Sequence, residues 1–332
     1  MVYLYSKTTA EKLKNRKTAT VENKASTPVR PIIDYNQRLK LTKNKLDSAT
    51  TERDQRKLVR VIHKQFYDHL YDLLGNRDQM RLLDQSSPNA NAWLFPSYNV
   101  FGRTRIAPDS FRVLLLRRLG YRFRTLFRTK CHVRNSHQII CGSSVDEYGQ
   151  HITESCKSLS TKRHDALKLE IGKICRELGF LVETEQSCYQ KTADGDARPA
   201  DLLIHEWWPG VSVALDVTVV SSIGTKALRD NQNQNIAYAV SRAEKEKLKC
   251  YQQLITEEQQ LAIRYIPFAI STFGNFGFRA RDFMTQLVSH ASRISMQSTY
   301  VVHRRLHQRI LAVVFAFMGK SLSSHPKIVP RY

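Results

Sequence analysis

The sequence predicts an α/β fold, and three observations carry that reading. Beyond about residue 161 the apolar patterning runs helix, three strands, helix, strand. The stretch Val211–Val220 carries β-branched and apolar residues on both faces of much of its length, as a strand covered on both sides requires. Across 332 residues the hydrophobic content is 42%, enough for a sizeable core.

The elements follow in chain order. Residues 1–55 are rich in Lys, Arg, Thr and Asn, with Pro28 and Pro31 interrupting any helix, and read as a flexible basic arm. A helical region is expected over 56–125. Within it, Val59, Ile62, Phe66, Leu70, Leu73 and Leu74 recur at helical spacing over 58–83, with Gly75 as a stop. A second helix fits 109–119, capped by Asp109 or Ser110, with Phe111, Leu114, Leu115 and Leu119 on one face and Gly120 at its end. Arg117 and Arg118 then sit where they offset the helix dipole, with phosphate contact as the alternative.

Further on, a helix over 163–178 places Leu167, Ile171, Ile174 and Leu178 on a core face and stops at Gly179. Strands are expected over 180–185, 201–204 and 211–220, a long polar helix over 227–254, and a fourth strand over 261–272. The apolar run 310–318 is far short of the roughly 20 residues of a membrane helix. The expectation is a soluble, intracellular chain. Six cysteines, with Cys175 in a helical pattern and Cys188 and Cys250 isolated, do not resemble a secreted disulfide framework. A formal charge of +22 predicts a polyanionic partner, nucleic acid first and an acidic membrane surface second.

Two clusters carry chemistry. Asp201 opens one expected strand, and Asp216 lies inside the next between Leu215 and Val217, where a charge is costly unless paired or bound to metal. Two carboxylates and a backbone carbonyl, such as that of Val217, suit Mg²⁺ or Mn²⁺, which keeps its remaining waters. On the following helix Lys247 and Tyr251 share a face and can approach the acids together, although Lys245 and Lys249 crowd the same helix. Glu185 and Glu170 are possible further acids. The alternative is structural: a strand-start turn residue, a buried ion pair and a solvated lysine face. The second cluster lies in 126–160, where Cys141, His151 and Cys156 have spacing suited to a zinc knuckle. Its fourth ligand is either Cys131 or His137.

In this order, Cys141-Gly142 through Gly149-Gln150-His151, Cys156, Arg163-His164-Asp165, Arg198-Pro199-Ala200-Asp201 and Asp216-Val217-Thr218-Val219 resemble the C-terminal region of reverse-transcriptase-bearing retroelement proteins, the non-LTR retrotransposons. The similarity covers roughly residues 90–320 and continues through Lys247, Tyr251, Tyr265-Ile266-Pro267-Phe268 and Thr272-Phe273-Gly274. It implies a zinc knuckle joined to a restriction-endonuclease-like domain of the PD-(D/E)XK class, with a mixed sheet over 161–290 and a C-terminal helix and tail over 291–332. It further implies a DNA endonuclease or nickase. Asp201 and Asp216 match the metal-binding acids, and Lys247 matches a lysine moved from the strand position that Thr218 occupies. Glu185 matches an acid at the end of the first strand, and Arg163 and His164 match a motif near the domain's start. DNA, possibly RNA, is the implied partner, with a reverse-transcriptase region or ribonucleoprotein beside it in the nucleus. Two departures stand out. Ile139 replaces the cysteine usual two residues before Cys141, and no Asp-Asp pair of a polymerase is present, so a detached C-terminal portion is expected.

Overall fold

The most β-branched strand expected, over 211–220, needs a partner on each edge, and the chain supplies both. The computed structural model describes residues 52–94, 106–123, 126, 129–184, 200–231, 235, 237–252 and 262–325. Strand β1 (Val182–Thr184) pairs antiparallel with β2 (Leu202–Trp208), β2 antiparallel with β3 (Val211–Val220), and β3 parallel with β4 (Ile263–Ser271). The result is one mixed sheet in the order β1-β2-β3-β4. Register sorts the residues by face, because side chains alternate along a strand. Leu202 and Ile204 pair with Leu215 and Val213, and Leu215 and Val217 pair with Ile266 and Phe268, so this face is the main core.

The chain forms two compact units, Met1–Leu73 and Leu74–Tyr332. In the first, the described element is α1 (Glu52–Leu73), on which Val59, Phe66 and Leu73 stay exposed. The basic arm lies outside the described residues as far as residue 51. The pattern over 58–83 is two helices, since α2 (Asn76–Gln85) restarts after Gly75, whose extended backbone takes the cap position. In α3 (Pro108–Arg118) the cap is Ala107 with no side-chain hydrogen bond, so neither Asp109 nor Ser110 caps it. Pro108 begins that helix because its missing N–H is an orphan in the first turn anyway.

Helix α4 (Lys157–Glu177) starts six residues ahead of expectation, directly after Cys156, and ends before Gly179 at φ +90°. It lays Leu167, Ile171, Ile174 and Cys175 on the main core. The long helix expected over 227–254 is broken into α5 (Thr225–Asp230) and α6 (Tyr238–Gln252). Asn231 makes the break: its amide accepts from the Asn235 N–H and donates to the Asn235 carbonyl, offering the backbone an alternative to helix. The opposite face of the sheet meets α6 through Ala214, Tyr265 and Ala269 against Tyr251, Val240 and Ala243. Two helices, α7 (Phe278–Ser295) and α8 (Thr299–Ser323), close the core with Phe283, Leu287, Ile310, Leu311, Val314 and Phe315. The apolar run 310–318 is thus core. Among the described residues no helix is long and apolar enough to cross a membrane.

Candidate functional site

Asp201 stands one residue before Leu202, which pairs with Leu215, so the register sets it beside Asp216 on the face turned to α6. Asp201 Oδ2 accepts from the Val217 N–H at 2.7 Å and lies 3.0 Å from His164 Nε2. Asp216 is 7% exposed, and its Oδ1 accepts from Lys247 Nζ at 2.9 Å while Oδ2 accepts from the Tyr265 hydroxyl at 2.5 Å. The Tyr251 hydroxyl donates to the Ile263 carbonyl at 3.4 Å. Its ring stacks on Tyr265 at 4.0 Å between centroids and so braces the residue that donates to Asp216.

The two carboxyls differ in proton affinity. Burial pushes Asp201 up, but the hydrogen bond and charge of His164 and the Val217 N–H outweigh it, and the group lies below the usual carboxylate range. At Asp216 burial prevails over Lys247 and Tyr265, with the Asp201 charge adding to it, and the group lies above that range. His164 is raised chiefly by its hydrogen bond to Asp201. The phenol of Tyr265 is raised by burial and by Asp216, so it remains a donor. A chain of contacts continues outward, with His164 Nδ1 3.2 Å from Asp165 and Lys168 Nζ 3.6 Å from the same carboxylate.

Among the three lysines of α6, geometry selects Lys247, while Lys245 and Lys249 are exposed. Glu185 lies outside the described residues. Glu170 is no part of the site, because it pairs with Arg309 of α8. Tyr265 is the member that sequence reasoning missed. Its signal was the face it shares with Asp216 across the parallel β3–β4 register, where it pairs with Ala214.

The second cluster brings Cys131, Cys141, His151 and Cys156 together, each offering an atom within 4.8 Å of the others. Cys131 Sγ is 4.0 Å from Cys156 Sγ, and Cys141 Sγ is 3.3 Å from His151 Nε2. Tetrahedral zinc with sulfur and nitrogen ligands at roughly 2.0–2.3 Å requires spacings of this order. Cys131 thus completes the cluster as its fourth candidate ligand, and His137 is not among the four. The nine-residue gap between Cys131 and Cys141 closes through a hairpin, with bridges at Lys130–Ser144 and Arg134–Ile140 and a hydrogen bond from Cys141 N to Val133 O of 2.8 Å. His151 opens a single π-helical turn, His151–Ser155, and Cys156 ends it at the cap of α4. Nδ1 of His151 lies 3.1 Å from Ser155 Oγ, a partner that lets it carry the proton and leaves Nε2 for a metal. Burial lowers His151, which favours the neutral imidazole a ligand needs. The donor set, three thiols and one imidazole, can hold a metal such as zinc.

Of the expected phosphate-binding residues, only His164 reaches the carboxylate site. Arg117 is 5% exposed and is paired with Glu154 of the π-helical turn, with its guanidinium over the Phe273 ring. Arg163 is 2% exposed and donates to the Thr153 carbonyl. Arg118 donates to the Gln85 carbonyl and to Asn91. These three arginines hold the fold together and are not turned to a polyanion. Glu154 also accepts from Ser221 and from Thr272, at 3.1 Å, and so ties the cysteine segment to the ends of β3 and β4. Comparison of the chain with protein-family models and with curated protein sequences returns no match.

Proposed function

We propose that the chain is a metal-dependent DNA endonuclease or nickase of the retroelement type, built on a restriction-endonuclease-like sheet. One observation carries this reading: Asp201 and Asp216 stand side by side on adjacent strands, with the Lys247 ammonium 2.9 Å from Asp216. The order helix, three strands, helix, strand around a mixed sheet supports it. Asp201 Oδ1 accepts no hydrogen bond among the described residues, and with Asp216 it would hold the ion. Bound Mg²⁺ or Mn²⁺, as one ion beside the lysine or as two, would polarise the scissile phosphate and lower the pKa of its water. Lys247 then orients the attacking water or balances charge developing on phosphate oxygen. His164 and the Val217 N–H fix Asp201, and Tyr265 fixes Asp216. Zinc in the Cys131, Cys141, His151 and Cys156 set is the structural ion of this reading. The charge of +22 supports DNA, and RNA as a second polyanion, with a reverse-transcriptase region or ribonucleoprotein as the nuclear context.

The test is plasmid nicking with Mg²⁺ or Mn²⁺. Asp201→Ala, Asp216→Ala and Lys247→Ala are each expected to lose about 100-fold or more, the scale of removing one charge-stabilising group. An Asp216→Ala protein that nicks at the wild-type rate sinks the assignment. A second reading, a decayed nuclease that only binds nucleic acid, is favoured by the occupation of both Asp216 oxygens by Lys247 and Tyr265. Tight DNA binding with no metal-dependent nicking selects it.

A further inference from the structure

At the other end of β2 from Asp201, the strand stops alternating. The register shifts between Ile204 and Trp208, and Glu206 takes a left-handed backbone at φ +50°. A bulge of this kind re-aims the residues after it. Trp207 turns into the main core, and Trp208 stands half-buried beside it. With Phe180 and the α7 side chains Gln286, His290 and Arg293 they line an open groove of about 360 Å³.

The groove is rigid and aromatic. Phe283, Trp207 and Phe180 stack in a column with ring centroids 4.8 Å apart at each step, and His290 lies 4.5 Å beyond Phe180. Trp207 Nε1 donates to Gln286 Oε1 at 3.0 Å, which locks the indole. Two arginines flank it. Arg293 is exposed and lies 3.0 Å from His290, and the half-exposed guanidinium of Arg264 sits 5.0 Å over the Trp208 ring. Asp282 faces Arg264 at 4.0 Å and accepts from the Gln286 amide at 2.9 Å, and the exposed Glu206 of the bulge precedes Trp207. The two arginines along the rim disfavour an aromatic cage for a cationic ligand, whose charge they repel. A flat ring carrying a negative charge satisfies both features, and so does one nucleotide of an unpaired strand.

We infer that this groove binds an unstacked base of single-stranded nucleic acid, with Arg293 and Arg264 on the flanking phosphates. Trp208 lies seven residues along from Asp201, roughly 20 Å, and the groove opens on the α7 side of the sheet while the acids face α6, so a base held here leaves the carboxylates unfilled. The nuclease reading supplies the reason for such a strand, because nicking frees one. Binding itself does not depend on cleavage.

The test uses the full chain and fluorescein-labelled oligothymidylate, read by anisotropy, beside an abasic oligomer of equal length and a duplex. Wild-type protein is expected to bind the thymidylate about tenfold or more tightly than the abasic strand. Trp208→Ala abolishes that difference and leaves duplex binding and plasmid nicking unchanged. Arg293→Ala, an exposed change that spares the core, weakens both single strands and lowers the salt slope by about 0.7. Equal binding of thymidylate and abasic strands by the wild type, competition by polyglutamate as effective as by thymidylate, or unaltered single-strand binding in Arg293→Ala overturns the inference. Loss of nicking in Asp216→Ala with single-strand binding intact supports both readings, whereas a wild type that never nicks but discriminates the abasic strand keeps the groove and removes the nuclease.

Discussion

A buried carboxyl group whose burial outweighs its partners costs folding free energy in proportion to the movement of its pKa, and Asp84 is such a group. It is 1% exposed, and Ser222 Oγ donates to it at 2.6 Å. Burial, against the hydrogen bonds of Ser222, Ser271 and Asn275, pushes it up to about 6. A folded pKa above the unfolded one means that the native state binds the proton more tightly. Stability is therefore full below about pH 4 and declines as pH rises through 6, by on the order of 3 kcal/mol in all. Asp84→Asn is expected to melt above the wild type at pH 8, with the gap closing by pH 4; a gap independent of pH rejects this account. Asp216 was legible in the sequence for the same physical reason, since a charge amid Leu215 and Val217 demands compensation. Its partners were less so. Tyr265 looks like one more aromatic in an apolar strand, and the reach of His164 to Asp201 joins residues from a helix and a strand start that no local pattern links.

At the scale of elements, the strands and α4 were readable because their buried faces impose a period, and Val211–Val220 ends where the sequence predicts. The cysteine segment was not, because the residues between Cys131 and Cys141 are mostly polar, and their apolar members, Val133, Ile139 and Ile140, follow no alternation that marks the hairpin closing the gap. The break at Asn231 is similarly silent, since one side chain competes with the backbone inside an otherwise helical run. Hairpin and helix meet through four ligand atoms and a small core of Cys131, Val145, Ile152 and Leu322. Gly149 makes that meeting possible: at φ +66° a Cβ there would lie 2.6 Å from a methyl of Leu322. Purified protein is expected to carry one zinc per chain by elemental analysis, and Cys156→Ser to lose it with a fall in melting temperature. Metal-free wild type that melts at the same temperature as the loaded protein would show that the side chains alone hold the segment.

For the whole molecule, a charge of +22 is an electrostatic fact before it is a functional one. The arginines that looked best placed to use it, Arg117, Arg118 and Arg163, are committed to internal partners, which leaves the basic arm and the exposed rims to meet a polyanion. Deleting residues 1–51 is expected to flatten the dependence of log K for duplex DNA on log salt concentration. An unchanged slope assigns the arm no phosphate contact. The two candidate centres are joined by one piece of helix, because Cys156 caps α4 and the helix presents His164 to Asp201 about 12 Å along its axis. A single residue inserted or removed between them would rotate His164 by about 100° off the carboxylate while leaving every helix-forming preference intact. Length is thus the constraint on that segment beyond its two buried residues, Leu159 and Arg163, and an indel there would uncouple the two centres.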